Sequence, residues 1–87
     1  MNSFQPSTEL QSVTELWNSL LPFEQPDKFT LNLWLRQHGI ETVHYAIEQA
    51  AVRRSKGDQM DRQAAIRLSN AICCSVTRHK QYLKSTT

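Results

Sequence analysis

Residues 29–54 read FTLNLWLRQHGIETVHYAIEQAAVRR, and they hold two apolar helical patterns with a single glycine between them. In the first, Phe29, Leu33 and Trp34 recur at helical spacing while Leu31 and Leu35 widen the face, which predicts a helix buried on most sides. A polar turn, Arg36-Gln37-His38, leads into Gly39, where a helix would end in the left-handed conformation that glycine adopts without steric cost. In the second, Ile40, Val43, Ile47, Ala50 and Ala51 recur every three or four residues, the pattern of an amphipathic helix. The stretch therefore predicts a helical hairpin or corner on which the rest of the chain packs.

Working outward toward the N-terminus, Pro22-Phe23-Glu24-Gln25-Pro26 is a short connection stiffened by two prolines, and Asp27 is placed to cap the helix that carries Trp34. Before it, Leu10, Val13, Leu16, Trp17, Leu20 and Leu21 form one face of a helix, which Pro22 must end because it has no N–H and biases the residue before it. Pro6, Ser7 and Thr8 read as the start of that helix, with Thr8 and Gln11 in capping-box register and Glu9 near the positive end of the dipole. Residues 1–6 are expected to fray.

Toward the C-terminus, the helix that begins near Ile40 should fade between Ser55 and Gly57. Met60 or Asp61 then opens a last helix running to about Lys84, with Ala65, Leu68, Ile72, Val76, His79 and Leu83 along one stripe. No strand alternation appears. The expected fold is all-α, a single small domain of 87 residues built as a bundle of about four helices with a long C-terminal helix.

A chain of this length buries a smaller fraction of its surface than a larger domain does, so its stability is marginal without good packing or a partner, and a homodimer would supply further burial. A composition of 39% hydrophobic and 21% charged residues is that of a globular domain. The N-terminus has no basic segment followed by an apolar run, and no apolar stretch approaches bilayer length, which points to a cytoplasmic protein without a membrane partner. Cys73 and Cys74 are neighbours about 100° apart on a helix and read as reduced packing residues. Of the two, Cys73, with Leu31 and Leu35, is among the apolar positions hardest to place in a four-helix core.

Charge is distributed unevenly. Residues 1–50 hold two basic and six acidic residues, net −4, whereas residues 51–87 hold eight basic and two acidic residues, net +6. The basic set is Arg53, Arg54, Lys56, Arg62, Arg67, Arg78, Lys80 and Lys84. Such polarity suits a polyanion or an acidic protein surface against the C-terminal half. The plainer reading is that these residues solvate outer helix faces and the two halves neutralise each other. On an ideal helix Arg62, Lys80 and Lys84 fall on one flank of the apolar stripe, and Arg67 and Arg78 on the other side. The densest local cluster is Arg53-Arg54-x-Lys56 at a helix end, with Arg62 nearby.

Catalysis and cofactor binding find little footing. Glu41-x-x-His44 has the spacing of half a di-metal carboxylate site, but the second half and its glutamates are absent, so His44 reads as a helix-surface residue. His38 should sit at a helix C-terminus, where a partly charged imidazole is favourable, and His79 at the edge of the apolar stripe. No phosphate-cradling loop, nucleophile elbow or zinc motif is present. We therefore expect no enzyme, no metal and no cofactor. Trp17, Trp34, Phe29 and Tyr45 are the aromatic candidates for base stacking; the tryptophans coincide with apolar periodicity and read as core, while Tyr45 and Tyr82 lie off the stripes.

Residues 26–51 resemble the start of the C-terminal helical domain of DnaD-like replication proteins. The likeness rests on Trp34-Leu35-Arg36-Gln37-His38-Gly39, a W-L-x-x-x-G turn, followed by Glu41, Val43, Ala46, Ile47 and Ala50 in an E-x-V-x-x-A-I-x-x-A helix. The resemblance implies an all-helical module that binds single-stranded DNA or replication partners. In its last helix that family carries a tyrosine, an isoleucine and a tryptophan at four-residue intervals, where this chain has Leu68, Ile72 and Val76.

The leading expectation is a non-catalytic module of a nucleic-acid-handling assembly, touching phosphates through Arg53, Arg54, Lys56 and Arg62 and, more broadly, the whole basic set. Its partner would be a nucleic acid or a nucleoprotein complex. The alternative is a small protein-binding adaptor or inhibitor of the phage or mobile-element type, docking a helix face on a larger protein.

Overall fold

The computed structural model describes residues 8–57 and 59–85, with the side chains of 84 and 85 excepted, so the expectation for residues 1–6 lies outside the described residues. Four helices follow one another: α1 (Thr8–Leu20), α2 (Lys28–His38), α3 (Ile40–Ser55) and α4 (Arg62–Ser85). Among the described residues there is no strand. The chain is an all-α domain with a long last helix.

The helix ends follow from local chemistry. Pro22 closes α1, and the Leu21 N–H still reaches the Trp17 carbonyl at 2.9 Å. Asp27 caps α2, its Oδ1 accepting from the Thr30 N–H at 2.9 Å, and this bond holds its carboxyl below the usual range. Asp61 caps α4, its Oδ1 accepting from the Ala64 N–H at 2.8 Å. At α1 the expected capping box is not formed: Thr8 is already helical, and Gln11 donates forward to Glu15 at 3.3 Å.

Gly39 joins α2 to α3 alone. Its N–H closes α2 on the Leu35 carbonyl at 3.0 Å, and its carbonyl accepts the first α3 bond from Val43 N–H at 3.1 Å. Its φ of 87° is the positive value expected, but its ψ of 158° is not that of the left-handed helix. The reason is its double duty: a residue that caps the next helix needs an extended ψ, as Asp27 shows with 165°. A positive φ with an extended ψ is open essentially only to glycine.

The core runs through Leu10, Val13, Trp17 and Leu21 of the first segment, Leu31 and Trp34 of α2, Val43, Ala46, Ile47 and Ala50 of α3, and Ala65 and Cys73 of α4. Both buried indoles keep a hydrogen bond. Trp17 Nε1 donates to the Phe23 carbonyl at 2.9 Å, and Trp34 Nε1 to Asn70 Oδ1 at 3.1 Å. Leu31 and Cys73, hard to place from periodicity, are fully inside, and Leu35 packs on the edge of the core.

Two expected faces are shifted. In α2 the inward row is Leu31, Trp34, Leu35 and His38, so Phe29 points away and is 75% exposed; the helix is one-sided rather than buried on most sides. In α4 the fully buried row is Ala65, Ser69 and Cys73, while Leu68, Ile72 and Val76 are half-buried and His79 and Leu83 exposed. Small residues make up this innermost row, and the buried face of α3, which packs on α4, also carries small residues in Ala46 and Ala50.

α2 and α3 touch each other and both remaining helices, whereas α1 and α4 do not meet. The Cα extents are 43 × 40 × 16 Å, so the domain is flat, with α1 and α4 at opposite edges.

Replacing Gly39 with alanine meets no neighbour within 4 Å, so the loss is backbone strain alone. We expect Gly39→Ala to reduce stability by about 1–3 kcal/mol in urea unfolding with helicity retained. An unchanged midpoint would show that the turn tolerates a side chain.

Candidate nucleic-acid interface

The basic residues divide by what they touch. Arg62, at the first position of α4, is half-buried and donates from Nε to the Glu24 carbonyl at 3.0 Å and from Nη2 to the Gln25 carbonyl at 3.1 Å. It straps the α1–α2 connection to the start of α4. Arg54 stands over the Phe23 ring at 5.8 Å from its centroid, against the same connection. Lys80 donates from Nζ to Thr42 Oγ1 at 3.1 Å, across the α3–α4 seam. These three cations are engaged with their own fold, and Arg62, expected at phosphates, is chiefly a structural strap.

The other set faces away. Arg53 and Lys56 are exposed at the end of α3, and Arg67 and Arg78 are exposed on α4. Eleven residues separate Arg67 from Arg78, three helical turns, which places them about 16 Å apart along one outward face. Between them on that face lie Asn70, Ala71 and Cys74, all exposed, small or neutral. Lys84 follows in the last turn, and its side chain lies outside the described residues. Arg62 and Arg54 thus meet the same connection near the α3 terminus, where Arg53 and Lys56 are exposed, and Arg67 and Arg78 form a further outward pair on α4.

Opposite charges are kept apart between the first and last helices, although Arg62 at the start of α4 helps the Thr30 bond to hold the Asp27 carboxyl low. α1 carries Glu9 and Glu15 and no basic residue; α4 carries Arg62, Arg67, Arg78, Lys80 and Lys84 and no acidic residue. Because these two helices sit at opposite edges without touching, their charges do not cancel by contact.

Aromatic and histidine positions sort differently from the basic ones. Trp17 and Trp34 are core, while Phe29, Tyr45 and Tyr82 are 75%, 47% and 64% exposed. His44 is not a free surface residue: its Nε2 lies 3.2 Å from Ser12 Oγ and ties α3 to α1. His38 Nδ1 lies 2.7 Å from Thr77 Oγ1 of α4, its Nε2 is buried without a partner, and burial lowers its pKa. It is the last residue of α2, as expected, but it serves there as a tertiary contact, and burial disfavours the partly charged imidazole expected at that terminus. Burial pushes the Cys73 thiol up to about 11, whereas Cys74 is exposed.

Among the described residues no group of three or more His, Cys, Asp or Glu could hold a metal ion, and no helix is long and apolar enough to cross a membrane. No family model, no curated protein and no solved structure matches this chain.

Two outcomes separate structural from outward-facing groups. Arg62→Ala should cost about 1–3 kcal/mol through the loss of its two charge-assisted bonds. Arg67→Ala and Arg78→Ala should stay within about 0.5 kcal/mol of the parent. Equal effects in urea unfolding would contradict the division. For His38 the folded pKa lies below the ordinary 6.5, so the unfolded chain binds the proton more readily. Its contribution is complete above that ordinary value and is lost as pH falls through it toward the lowered one. The fall in urea midpoint between pH 7 and pH 5 should therefore shrink in His38→Gln, and an identical fall in both proteins would refute the assignment.

Proposed function

We propose that this chain is a non-catalytic helical module of a nucleic-acid-handling assembly, the class that the DnaD-like likeness of residues 26–51 also implies. It contacts the phosphate backbone with the outer face of α4. The observation that carries the reading is the outward pair Arg67 and Arg78 on a 24-residue helix that holds no acidic residue. The small and neutral residues between them, Asn70, Ala71 and Cys74, let a phosphate backbone approach the helix axis. Arg53, exposed at the end of α3, adds positive charge.

The contact is sequence-tolerant, because cations at phosphates fix position and carry no base information. Exposed guanidiniums suit this task, since their fork of donors matches phosphate oxygens in pairs. Arg62 and Lys80 support the face from behind by fixing α4 against the α1–α2 connection and α3.

The test is fluorescence anisotropy with labelled single- and double-stranded oligonucleotides at two salt concentrations. Micromolar binding that weakens steeply with salt is expected, and the double reversal Arg67→Glu/Arg78→Glu should lower the salt slope on duplex by about two units. Binding that is absent, insensitive to salt or unchanged by the reversal would overturn the reading and leave docking on a larger protein as the account of the charge asymmetry.

A further inference from the structure

α3 presents an outward ridge that none of the described residues buries. It consists of Glu41, Tyr45, Glu48 and Val52, with Lys56 at the C-cap, spaced by four, three, four and four residues, so all five lie on one face. All are exposed, Tyr45 at 47% and Val52 at 41%. The ridge is flanked by two shallow grooves. One, toward α1, is lined by Leu16, Leu20, Ala51 and Val52; the other, toward α4, by Thr42, Tyr45 and Val76 with Glu41 and Lys80 at its rim.

The ridge is self-complementary when read backwards. Its N-terminal end is acidic, its C-terminal end is basic, and its two large apolar side chains lie between. Placed antiparallel against a second copy about a two-fold axis near Glu48, Glu41 faces Lys56 of the second copy and Tyr45 faces Val52. The same pairing repeats on the other side of the axis, as an isologous contact requires. Antiparallel helices also oppose their dipoles favourably.

We propose that the chain forms a homodimer through this ridge, with α3 packed antiparallel on α3 of the second copy. Sixteen residues of helix give a contact about 24 Å long, and the flanking grooves widen it to about 20 Å. That amounts to roughly 1,000 Å² over both partners, the lower bound for a specific association. Charge complementarity at the ends selects the antiparallel register, because a parallel pairing would set Glu41 against Glu41 and Lys56 against Lys56. One unfavourable term remains: Glu48 of each copy lies near the axis and close to its own mate. The two-fold also leaves both α4 edges on the same side of the dimer and both α1 edges on the other. The dimer therefore carries one doubled basic edge.

The experiment is sedimentation equilibrium of the full chain over a range of concentrations at moderate salt, with helicity followed by circular dichroism. The parent should associate to a dimer with a micromolar constant. Tyr45→Glu, at an exposed position, should remove the dimer while leaving the helical signal intact. Glu41→Lys and Lys56→Glu should each weaken it at least about tenfold, and the combined Glu41→Lys/Lys56→Glu chain should recover to within a few-fold of the parent. Glu48→Gln should tighten it. A parent that stays monomeric at high concentration, a Tyr45→Glu chain that still dimerises, or a charge-swapped chain no better than its single variants would each overturn the proposal. Because the swap restores rather than removes an interaction, a folding defect cannot imitate the expected result.

Discussion

The close approach of α3 and α4 is the constraint on which the rest of the structure depends. Ala46 and Ala50 on one helix, and Ala65, Ser69 and Cys73 on the other, are fully buried and small. Only small side chains let two helix backbones draw together, and close-packed interiors leave no slack to compensate for a larger one. The seam has a cost: Ser69 Oγ is buried with no partner, where an unsatisfied hydroxyl costs about 1–3 kcal/mol. A serine is tolerated there because it is the size the seam demands. Once α3 and α4 are fixed, Lys80 can reach Thr42 and α2 can lay Trp34 on Asn70 and His38 on Thr77.

Gly39 and Arg62 then determine how the other helices meet that pair. A one-residue joint leaves α2 almost no freedom of approach to α3, since one peptide unit must end the first helix and start the second. At the opposite end, Arg62 holds the carbonyls of Glu24 and Gln25, and so governs where the α1–α2 connection, and with it Trp17, comes to rest. An arginine at the first turn of a helix opposes the macrodipole. Its position is understandable only because both its carbonyl acceptors and the nearby Asp27 and Asp61 caps are supplied by the fold.

Much of this architecture was legible in the amino-acid sequence. The four helices, the break at Pro22, the cap at Asp27 and the turn at Gly39 all rest on local chemistry, which acts within a few residues. Which face of a helix turns inward is a tertiary matter. For α4 the apolar stripe through Leu68 and Ile72 was the larger hydrophobic signal, yet the buried row is Ala65, Ser69 and Cys73, because the partner helix is small-faced. The candidate site suffered in the same way. Nothing in the spacing of Arg62 distinguishes it from Arg67; only the folding back of Glu24 and Gln25 turns one into a strap and leaves the other outside. His38 and His44 likewise needed their distant partners, Thr77 and Ser12, to be recognised as contacts.

The flatness of the domain has an electrostatic consequence. In a square four-helix bundle, diagonal helices still share a core; here the acidic first helix and the basic last helix are held apart by the α2–α3 pair. Five cations on α4, without one carboxylate among them, repel each other along its length. Two are relieved internally, Arg62 by peptide carbonyls and Lys80 by the Thr42 hydroxyl. Arg67 and Arg78 have no such relief, and they share the outward face. Compactness alone would favour distributing charge of both signs over every helix, as the mixed charges of α3 do. The one-signed outer face of α4 is a feature that a solvated bundle does not need, and it is the face on which the proposed phosphate contact rests.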